Sequence, residues 1–459
     1  MIAPARWAAF EALRAIHAGV VDAATALARA RDRLADERDR ALTTELVMGT
    51  LRWRGALDHL IIHYARRPLA RIDPPVLDVL RIGLYQVLYL TRVPPRAAVD
   101  DGVEMVRKAG APRAAGLTNA VLRAAARGRA RPPWPEPPDA MTLETREAAL
   151  DYLSITLSHP RWLVARWLDR HGFSVAADWA RFNNTTAPLT LRVNTLRTTP
   201  AAVAAALRGR DVDTRPAAFA PDALIVTRGN PLLTSPAIGH DFAVQDEASQ
   251  LVAAFVNARP KERILDVCAS PGNKTLALAG AMRDAGMLVA ADLRQRRVAL
   301  LCRTIAAGGA RSVRIVRLDL SRPLPFCSLF DAVLVDAPCS GLGTIRRDPD
   351  IRWRRTAADL SRFADAQSRM LEEAAQVVRP GGRLIYATCS SEPEENDEVV
   401  DRFLGRRSEF RLSDPRVDRG GVPSGVEAVL DDRGFLRTRP WAHGLEAFFA
   451  AMLVKQKHL

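Results

Sequence analysis

Two cysteines stand where short apolar runs end: Cys339 in Asp336-Ala337-Pro338-Cys339-Ser340 and Cys389 in Thr388-Cys389-Ser390. A thiolate is a strong nucleophile, but an ordinary thiol with a pKa near ~8.5 supplies only a few per cent of it at neutral pH, so a positive field must help. A lone cysteine is usually a small buried hydrophobe. Two at adjacent strand ends point instead to chemistry on one edge of a sheet. The other three, Cys268, Cys302 and Cys327, complete an odd set without a C-x-x-C pair or neighbouring histidines. Neither a zinc site nor a disulfide framework is expected, and no metal is predicted. Cys302, on an apolar helix face, and Cys327, beside Phe326, read as structural. A cysteine hydrolase would need a histidine partner, and none lies between His240 and His443.

The elements that must carry these residues alternate. RILDVCA, GMLVAADL, VRIVRLDL, FDAVLVDAP and GGRLIYATCS have strand length, and helical stretches lie between several of them. Apolar strands alternating with helices predict a parallel sheet covered on both faces, with ligands at the carboxyl ends of its strands. The first strand runs into Cys268-Ala269-Ser270-Pro271-Gly272-Asn273-Lys274-Thr275, a glycine-containing turn before a helix, where backbone amides can approach a ligand. The next three strands end at Asp292, Asp319 and Asp336. A carboxylate at Asp292 can accept the ribose hydroxyls of a nucleoside cofactor. The turn is not a triphosphate-binding loop, because the glycine that should begin it is missing.

Residues 1–130 show apolar spacing of three and four throughout and predict an all-α domain. Residues 131–140 are a Pro-rich linker, 141–240 mix helices with strand-like runs as a small α+β module, and 241–459 form the α/β domain. The chain carries 66 basic against 52 acidic residues, a net +14. Most of the basic residues are arginine, whose planar donors suit phosphate, so a polyanion is the expected partner. No stretch approaches the roughly 20 apolar residues of a membrane span, and the amphipathic N-terminus lacks an apolar signal core. A soluble, cytoplasmic monomer is expected.

These motifs resemble a family. The Asp336-to-Gly341 run, Arg346-Arg347-Asp348-Pro349-Asp350, Tyr386-Ala387-Thr388-Cys389-Ser390 and Pro393-Glu394-Glu395-Asn396 closely resemble the RNA 5-methylcytosine methyltransferases, as do Val244-Gln245-Asp246-Glu247-Ala248-Ser249 and Arg192-Val193-Asn194. Leu80-Arg81-Ile82-Gly83-Leu84-Tyr85-Gln86 and Thr118-Asn119-Ala120-Val121-Leu122-Arg123 resemble a NusB-type RNA-binding domain. The combination is similar to the Fmu/Sun-type bacterial 16S ribosomal RNA methyltransferases over essentially the whole chain. The resemblance implies a multidomain protein with a NusB-like all-α domain, a small α+β RNA-binding module and a Rossmann-like methyltransferase domain with a mostly parallel sheet. It implies Cys389 as nucleophile and Cys339 as the residue that helps release the product. It implies S-adenosylmethionine as cofactor, held by Cys268, Ala269, Ser270, Pro271, Gly272, Asn273 and Lys274 with Asp292, Asp319 and Asp336. The expected reaction adds the Cys389 thiolate to carbon 6 of a cytosine so that carbon 5 can take a methyl group. Asp336 then hydrogen-bonds the ring near N3 as charge builds. The base that removes the carbon-5 proton is not legible.

The sequence departs from the family at two places. Asn273 replaces the second glycine of the cofactor turn; asparagine tolerates left-handed backbone, yet its side chain could crowd the methionine part of the cofactor. Leu445-Glu446-Ala447 replaces the usual Asp-Gly pair before Phe448, where a strand is still expected. His159 reads as structural or RNA-positioning. Trp353 reads as a base-stacking or a core residue, and Arg346 with Arg347 as phosphate contacts or a solvated pair. Transfer RNA as substrate, and a non-catalytic RNA-binding or antitermination-like factor on a decayed methyltransferase fold, stay open as alternatives.

Overall fold

The computed structural model describes residues 2–139, 141–142, 144–320, 322–326, 329–418 and 421–457; Cys327 lies outside them. The chain forms two compact units. One comprises Met1–Thr185 with Ile345–Arg355, the other Thr186–Thr344 with Thr356–Leu459.

The first unit is helical. Its helices are α1 (Pro4–His17), α2 (Ala23–Asp32), α3 (Glu37–Arg52), α4 (Arg54–Ala65), α5 (Pro74–Tyr89), α6 (Pro95–Lys108), α7 (Ala115–Gly128), α8 (Arg146–Asp151) and α9 (Arg161–Asn184). Helix α5 starts at a proline, whose fixed φ suits the first turn, and buries side chains around almost its whole circumference. A helix buried on every side belongs at the centre of a bundle, its buried Arg81 answered by Asp58 and Asp78. Helix α9 breaks at Gly172, where φ is +77°, a conformation glycine reaches without strain. Helices α8 and α9 pack within this unit.

The segment Ile345–Arg355 is packed by arginines and a tryptophan. Arg352 is fully buried and donates from Nη1 to the carbonyl of Ser158 (2.9 Å) and to Asn184 Oδ1 (3.0 Å). Trp353 donates from Nε1 to the carbonyl of Leu51 (2.7 Å), and Arg54 lies over its ring. Arg346 sits over the ring of Phe182 at 4.4 Å. Trp353 is therefore a packing residue. His159 is buried against Trp167, with Nδ1 2.6 Å from the carbonyl of Leu157. Burial and the nearby Arg352 hold its pKa well below the usual range, so it is a neutral structural side chain.

The second unit opens with a four-stranded antiparallel sheet in the order β2-β3-β1-β4, formed by β1 (Thr190–Val193), β2 (Asp213–Pro216), β3 (Ala223–Arg228) and β4 (Phe242–Val244). Helices α10 (Pro200–Arg208) and α11 (Pro231–Thr234) lie in its connections, and Leu191, Val193, Val203, Leu207 and Phe242 form its small core. After α12 (Glu247–Phe255) the larger sheet begins. Its strands are β5 (Arg263–Val267), β6 (Met287–Asp292), β7 (Val313–Arg317), β8 (Phe330–Asp336), β9 (Val378–Thr388), β10 (Phe410–Leu412), β11 (Leu436–Arg437) and β12 (Phe449–Lys455). Helices α13 (Asn273–Ala281), α14 (Gln295–Gly308), α15 (Ile351–Arg354, within the excursion to the helical unit), α16 (Ala357–Gln376) and α17 (Asp397–Arg406) alternate with the strands.

The order is β10-β12-β9-β8-β5-β6-β7, with β11 beside β12. Strands β5 to β9 pair in parallel, and the β12 pairings are antiparallel. Separate apolar clusters cover its two faces, as parallel strands require. The strand predicted after the Leu445-Glu446-Ala447 departure is β12. The expected fold class is thus realised: a helical N-terminal region, an antiparallel α+β module and a mostly parallel C-terminal sheet. Strand order reverses at β5, so the crevice outside β5 and β8 is where a ligand belongs. No helix among the described residues is long and apolar enough to cross a membrane.

Candidate active site

The turn after β5 is built for close approach. Cys268 takes a positive φ of 66°, and Gly272 caps α13 at φ +107°. A Cβ on Gly272 would come within 2.9 Å of Leu301, so this position needs glycine on both counts. Asn273, by contrast, is the first residue of α13 and has no need of left-handed backbone. Its Nδ2 donates to the carbonyl of Val244 at 3.3 Å. The left-handed demand expected of the asparagine is met by Gly272, and the amide is tethered to β4.

Beyond the turn lies a cavity of about 300 Å³ lined by Cys268, Asp292, Leu293, Asp319, Pro338 and Met370, among others. Asp292, at the end of β6, accepts from the amides of Ser270 (3.3 Å) and Arg294 (3.4 Å) and from Arg297 Nε (3.0 Å). Arg297 also donates to the carbonyl of Ser270 at 2.8 Å. It thereby ties the turn to the carboxylate. Its part was not legible, because an arginine five residues past a strand end looks like any other on a basic helix. Asp319 lies two residues past β7 and pairs with Arg322 at 3.5 Å. Ala269 is buried, and its amide donates to the carbonyl of Ala291 (2.8 Å), locking the turn to β6. Pro271 follows a cis peptide bond.

Asp336 faces elsewhere. Lys274, grouped by sequence with the cofactor turn, donates from Nζ to Asp336 Oδ2 at 2.8 Å. Burial disfavours its charge. The Asp336 carboxylate, the hydrogen bond to it and the nearby Cys389 outweigh burial and raise the lysine pKa, so the ammonium persists. The lysine thus places a positive charge near Cys389.

The two cysteines meet. Cys339 Sγ and Cys389 Sγ are 3.2 Å apart, although 50 residues separate them in sequence. The hydrogen bond to Cys389, burial, and the charges of Cys389 and Glu395 together raise the Cys339 pKa well above the usual thiol range. Behind them Gly343 donates its amide to the carbonyl of Cys389 (2.9 Å) and accepts from the amide of Ala447 (3.0 Å). A Cβ there would fall 1.9 Å from Ala447 O, so only glycine lets the three backbones converge. Cys268 is a poor nucleophile, since burial and then the neighbouring aspartates push its thiol up to about 12. Cys302 is exposed on α14, which corrects the expectation that its helix face is buried. The apolar neighbours Leu301 and Ile305 point inward while Cys302 turns to solvent.

Asp266 lies under the turn, fully buried on β5, and accepts from Thr275 Oγ1 at 2.7 Å. Burial pushes its pKa up from 3.8 to about 7. Between those values the folded chain keeps a proton that the unfolded chain has lost, so wild-type stability falls as pH rises from about 4 to about 7. Asp266→Asn lacks this titration. It should gain roughly 3 kcal/mol on wild type between pH 5 and pH 8, taking about 1.4 kcal/mol per pH unit up to the folded pKa. Thermal unfolding at the two pH values checks it; an equal difference at both would refute the assignment.

Comparison with known proteins bears on this arrangement. Residues 253–454 match the family described as 16S rRNA methyltransferase RsmB/F, residues 3–127 the NusB family, and 159–232 the ferredoxin-like domain of the RsmF/B-like methyltransferases. The ribosomal RNA small subunit methyltransferase B of Pseudomonas putida is 32% identical over 98% of both chains. That of Salmonella arizonae is 32% identical over 92% of this chain and 91% of its own. A methyltransferase homologue from Pyrococcus horikoshii covers 69% of this chain and all of its own, with a TM-score of 0.57 at 25% identity. NSun6 from the same organism, solved with a bound S-adenosylmethionine analogue, covers 65% of this chain and 99% of its own, with a TM-score of 0.56 at 19% identity, and shows the fold alone. The family that the motifs imply is therefore the one found: the chain belongs to the RsmB/F family of 16S rRNA methyltransferases and is an enzyme of that class.

Proposed function

We propose that this enzyme transfers a methyl group from S-adenosylmethionine to carbon 5 of one cytosine in 16S ribosomal RNA, through a covalent bond between Cys389 and carbon 6. The observation that carries the reading is the pair of sulfurs 3.2 Å apart beside the Lys274–Asp336 ion pair. The cavity suits a nucleoside cofactor. It has carboxylates at the end of β6 and just past β7 for ribose hydroxyls, apolar walls from Leu293, Pro338 and Met370 for a ring, and a glycine-capped turn for close backbone contact. Residues 268–272 with Asp292 and Asp319 would hold S-adenosylmethionine, which when bound supplies an electrophilic methyl group.

The residues of this chain do the rest. Lys274 stabilises the Cys389 thiolate that adds to carbon 6. Asp336 meets the ring at N3; a proton relayed from the Lys274 ammonium through the Asp336 carboxyl to N3 answers the electron density that moves there and returns as the double bond re-forms. In the resting enzyme Cys339 is a protonated thiol that donates to Cys389. Once Cys389 is bound to carbon, its charge and its hydrogen-bond acceptance are gone. Two of the causes that raise the Cys339 pKa then vanish. Cys339 becomes more acidic at the step where a base must take the carbon-5 proton, and the Cys389 thiolate leaves as the double bond re-forms.

The deciding experiment is transfer of labelled methyl to unmodified 16S ribosomal RNA and, in parallel, to transfer RNA. Label as 5-methylcytosine in ribosomal RNA supports the reading; label in transfer RNA alone overturns its substrate. Label in neither, with cofactor bound, favours a binding protein on a methyltransferase fold. Because the Asn273 amide is tethered to Val244, Asn273→Gly should change the S-adenosylmethionine dissociation constant by less than about twofold, well under 1 kcal/mol. A tenfold tightening in calorimetric titration would show that the asparagine does crowd the cofactor.

A further inference from the structure

Cys339 and Cys389 sit on loops after different strands, and the backbone bond from Gly343 to the carbonyl of Cys389 ties the two segments without reaching the Cys339 turn itself. The chemistry proposed above is sensitive to that distance, since a displacement of about 1 Å at reacting groups can cost on the order of 100-fold in rate. The residues that follow the two cysteines, Ser340 and Ser390, are both buried, and their hydroxyls lie 3.1 Å apart. Both lead to one side chain. Glu395, fully buried in the 3-10 turn Pro393–Glu395, accepts from the Ser340 amide at 2.8 Å through Oε1 and from Ser390 Oγ at 2.5 Å through Oε2. Gln367 of α16 donates from Nε2 to Glu395 Oε1 and to the carbonyl of Pro338, each at 3.0 Å. Tyr386 of β9 donates its hydroxyl to the carbonyl of Glu395 at 2.6 Å.

A buried carboxylate is costly unless a cation or several donors answer it. Glu395 has no cation within ion-pair distance among the described residues and is answered by three donors, two of which belong to the cysteine loops. A residue needed only to fill space would be apolar. We propose that Glu395 is the positioning residue of the active site, a carboxylate that, together with the Gly343–Cys389 backbone hydrogen bond, fixes the Cys339 loop against the Cys389 loop and so sets the distance between the two sulfurs. The proposal rests on the covalent reading for its catalytic consequence but not for its geometry.

Two measurements on the full chain test it. The first needs neither RNA nor cofactor. Diamide oxidises a thiol pair to a disulfide and is itself reduced to the hydrazine, and the rate of the Cys339–Cys389 linkage is read by mass spectrometry of the joined peptides. Glu395→Ala should slow this linkage at least about fivefold, and Glu395→Gln, which keeps the shape and one acceptor, should slow it less. The second is steady-state methyl transfer. Glu395→Ala should lower kcat by about 100-fold with the KM for S-adenosylmethionine within about twofold, and Glu395→Gln should recover part of the loss.

Unchanged linkage and unchanged kcat in a folded Glu395→Ala protein would overturn the proposal, as would a loss carried wholly by KM. Should Glu395→Ala fail to fold, Ser390→Ala removes one arm of the clamp and must itself slow the linkage; a wild-type rate there would overturn the proposal too. Slowed linkage in an enzyme that methylates no RNA would leave the clamp standing and remove the covalent reading instead.

Discussion

Cys389→Ala should abolish methyl transfer to ribosomal RNA, a fall of roughly 10⁴-fold or more in kcat, with the cofactor bound as tightly as by wild type. The magnitude follows from the proposed covalent mechanism, in which the variant loses the nucleophile and the remaining groups supply binding and electrostatics but no bond to carbon 6. Unchanged cofactor affinity follows from the cavity wall, which includes Cys268 but not Cys389. Of the other described thiols only Cys339 lies beside Cys389, and any residual turnover would be its work. Cys268 is held protonated by burial, and Cys302 faces solvent on α14. Initial rates with labelled cofactor, beside a filter-binding or calorimetric cofactor titration, check both halves. Residual turnover above about one per cent of wild type would move the nucleophile elsewhere. Cys302→Ala serves as the control and should leave the rate unchanged.

The proposed mechanism uses Lys274 in this chemistry rather than with the cofactor. From the sequence alone the lysine belongs to the turn of residues 268–274, because one-dimensional spacing ties a residue to its neighbours. The fold turns it along the first turn of α13 toward β8, where Asp336 takes its ammonium. Strand ends were legible because parallel strands read as apolar runs that stop at a polar residue, and Asp292 and Asp336 are each the last residue of their strand. Asp319 stands two residues beyond β7, where the exposed end of an edge strand weakens that signal. What spacing could not give was pairing across the sheet. That Cys339 touches Cys389, that Glu395 joins Ser340 to Ser390, and that Arg297 closes on Asp292 all depend on register between β5, β6, β8 and β9. The Glu395 motif was visible as letters, yet a glutamate beside a second glutamate and an asparagine reads as a solvated turn until its burial is known. The excursion of residues 345–355 into the helical unit was equally illegible, since a fully buried arginine with carbonyl acceptors looks in sequence like one more surface charge.

Cys339→Ala should trap the enzyme on its product. On the proposed mechanism, addition and methyl transfer need Cys389, Lys274 and Asp336, all present in the variant, so the first half of the reaction should proceed. The carbon-5 proton then has no base 3.2 Å from the sulfur that must leave. A protein–RNA complex stable to denaturing gels should accumulate to about one per enzyme, carrying one methylated cytosine, while turnover falls by roughly 10²–10⁴-fold, the usual weight of a general base. The pH dependence separates this role from simple packing. A base must be deprotonated to act, and the Cys339 thiol ionises well above the ordinary range in the resting enzyme. Wild-type breakdown of the adduct should therefore quicken as pH rises through neutrality, although the pKa that governs it is lower in the adduct, where Cys389 no longer holds a charge. In Cys339→Ala that slope should vanish. Cys339→Ser keeps the size but ionises far less readily than a thiol, and should behave like Cys339→Ala. Release from Cys339→Ala at the wild-type rate, with the wild-type slope, would mean that another group or water takes the proton and that Cys339 only supports the resting Cys389.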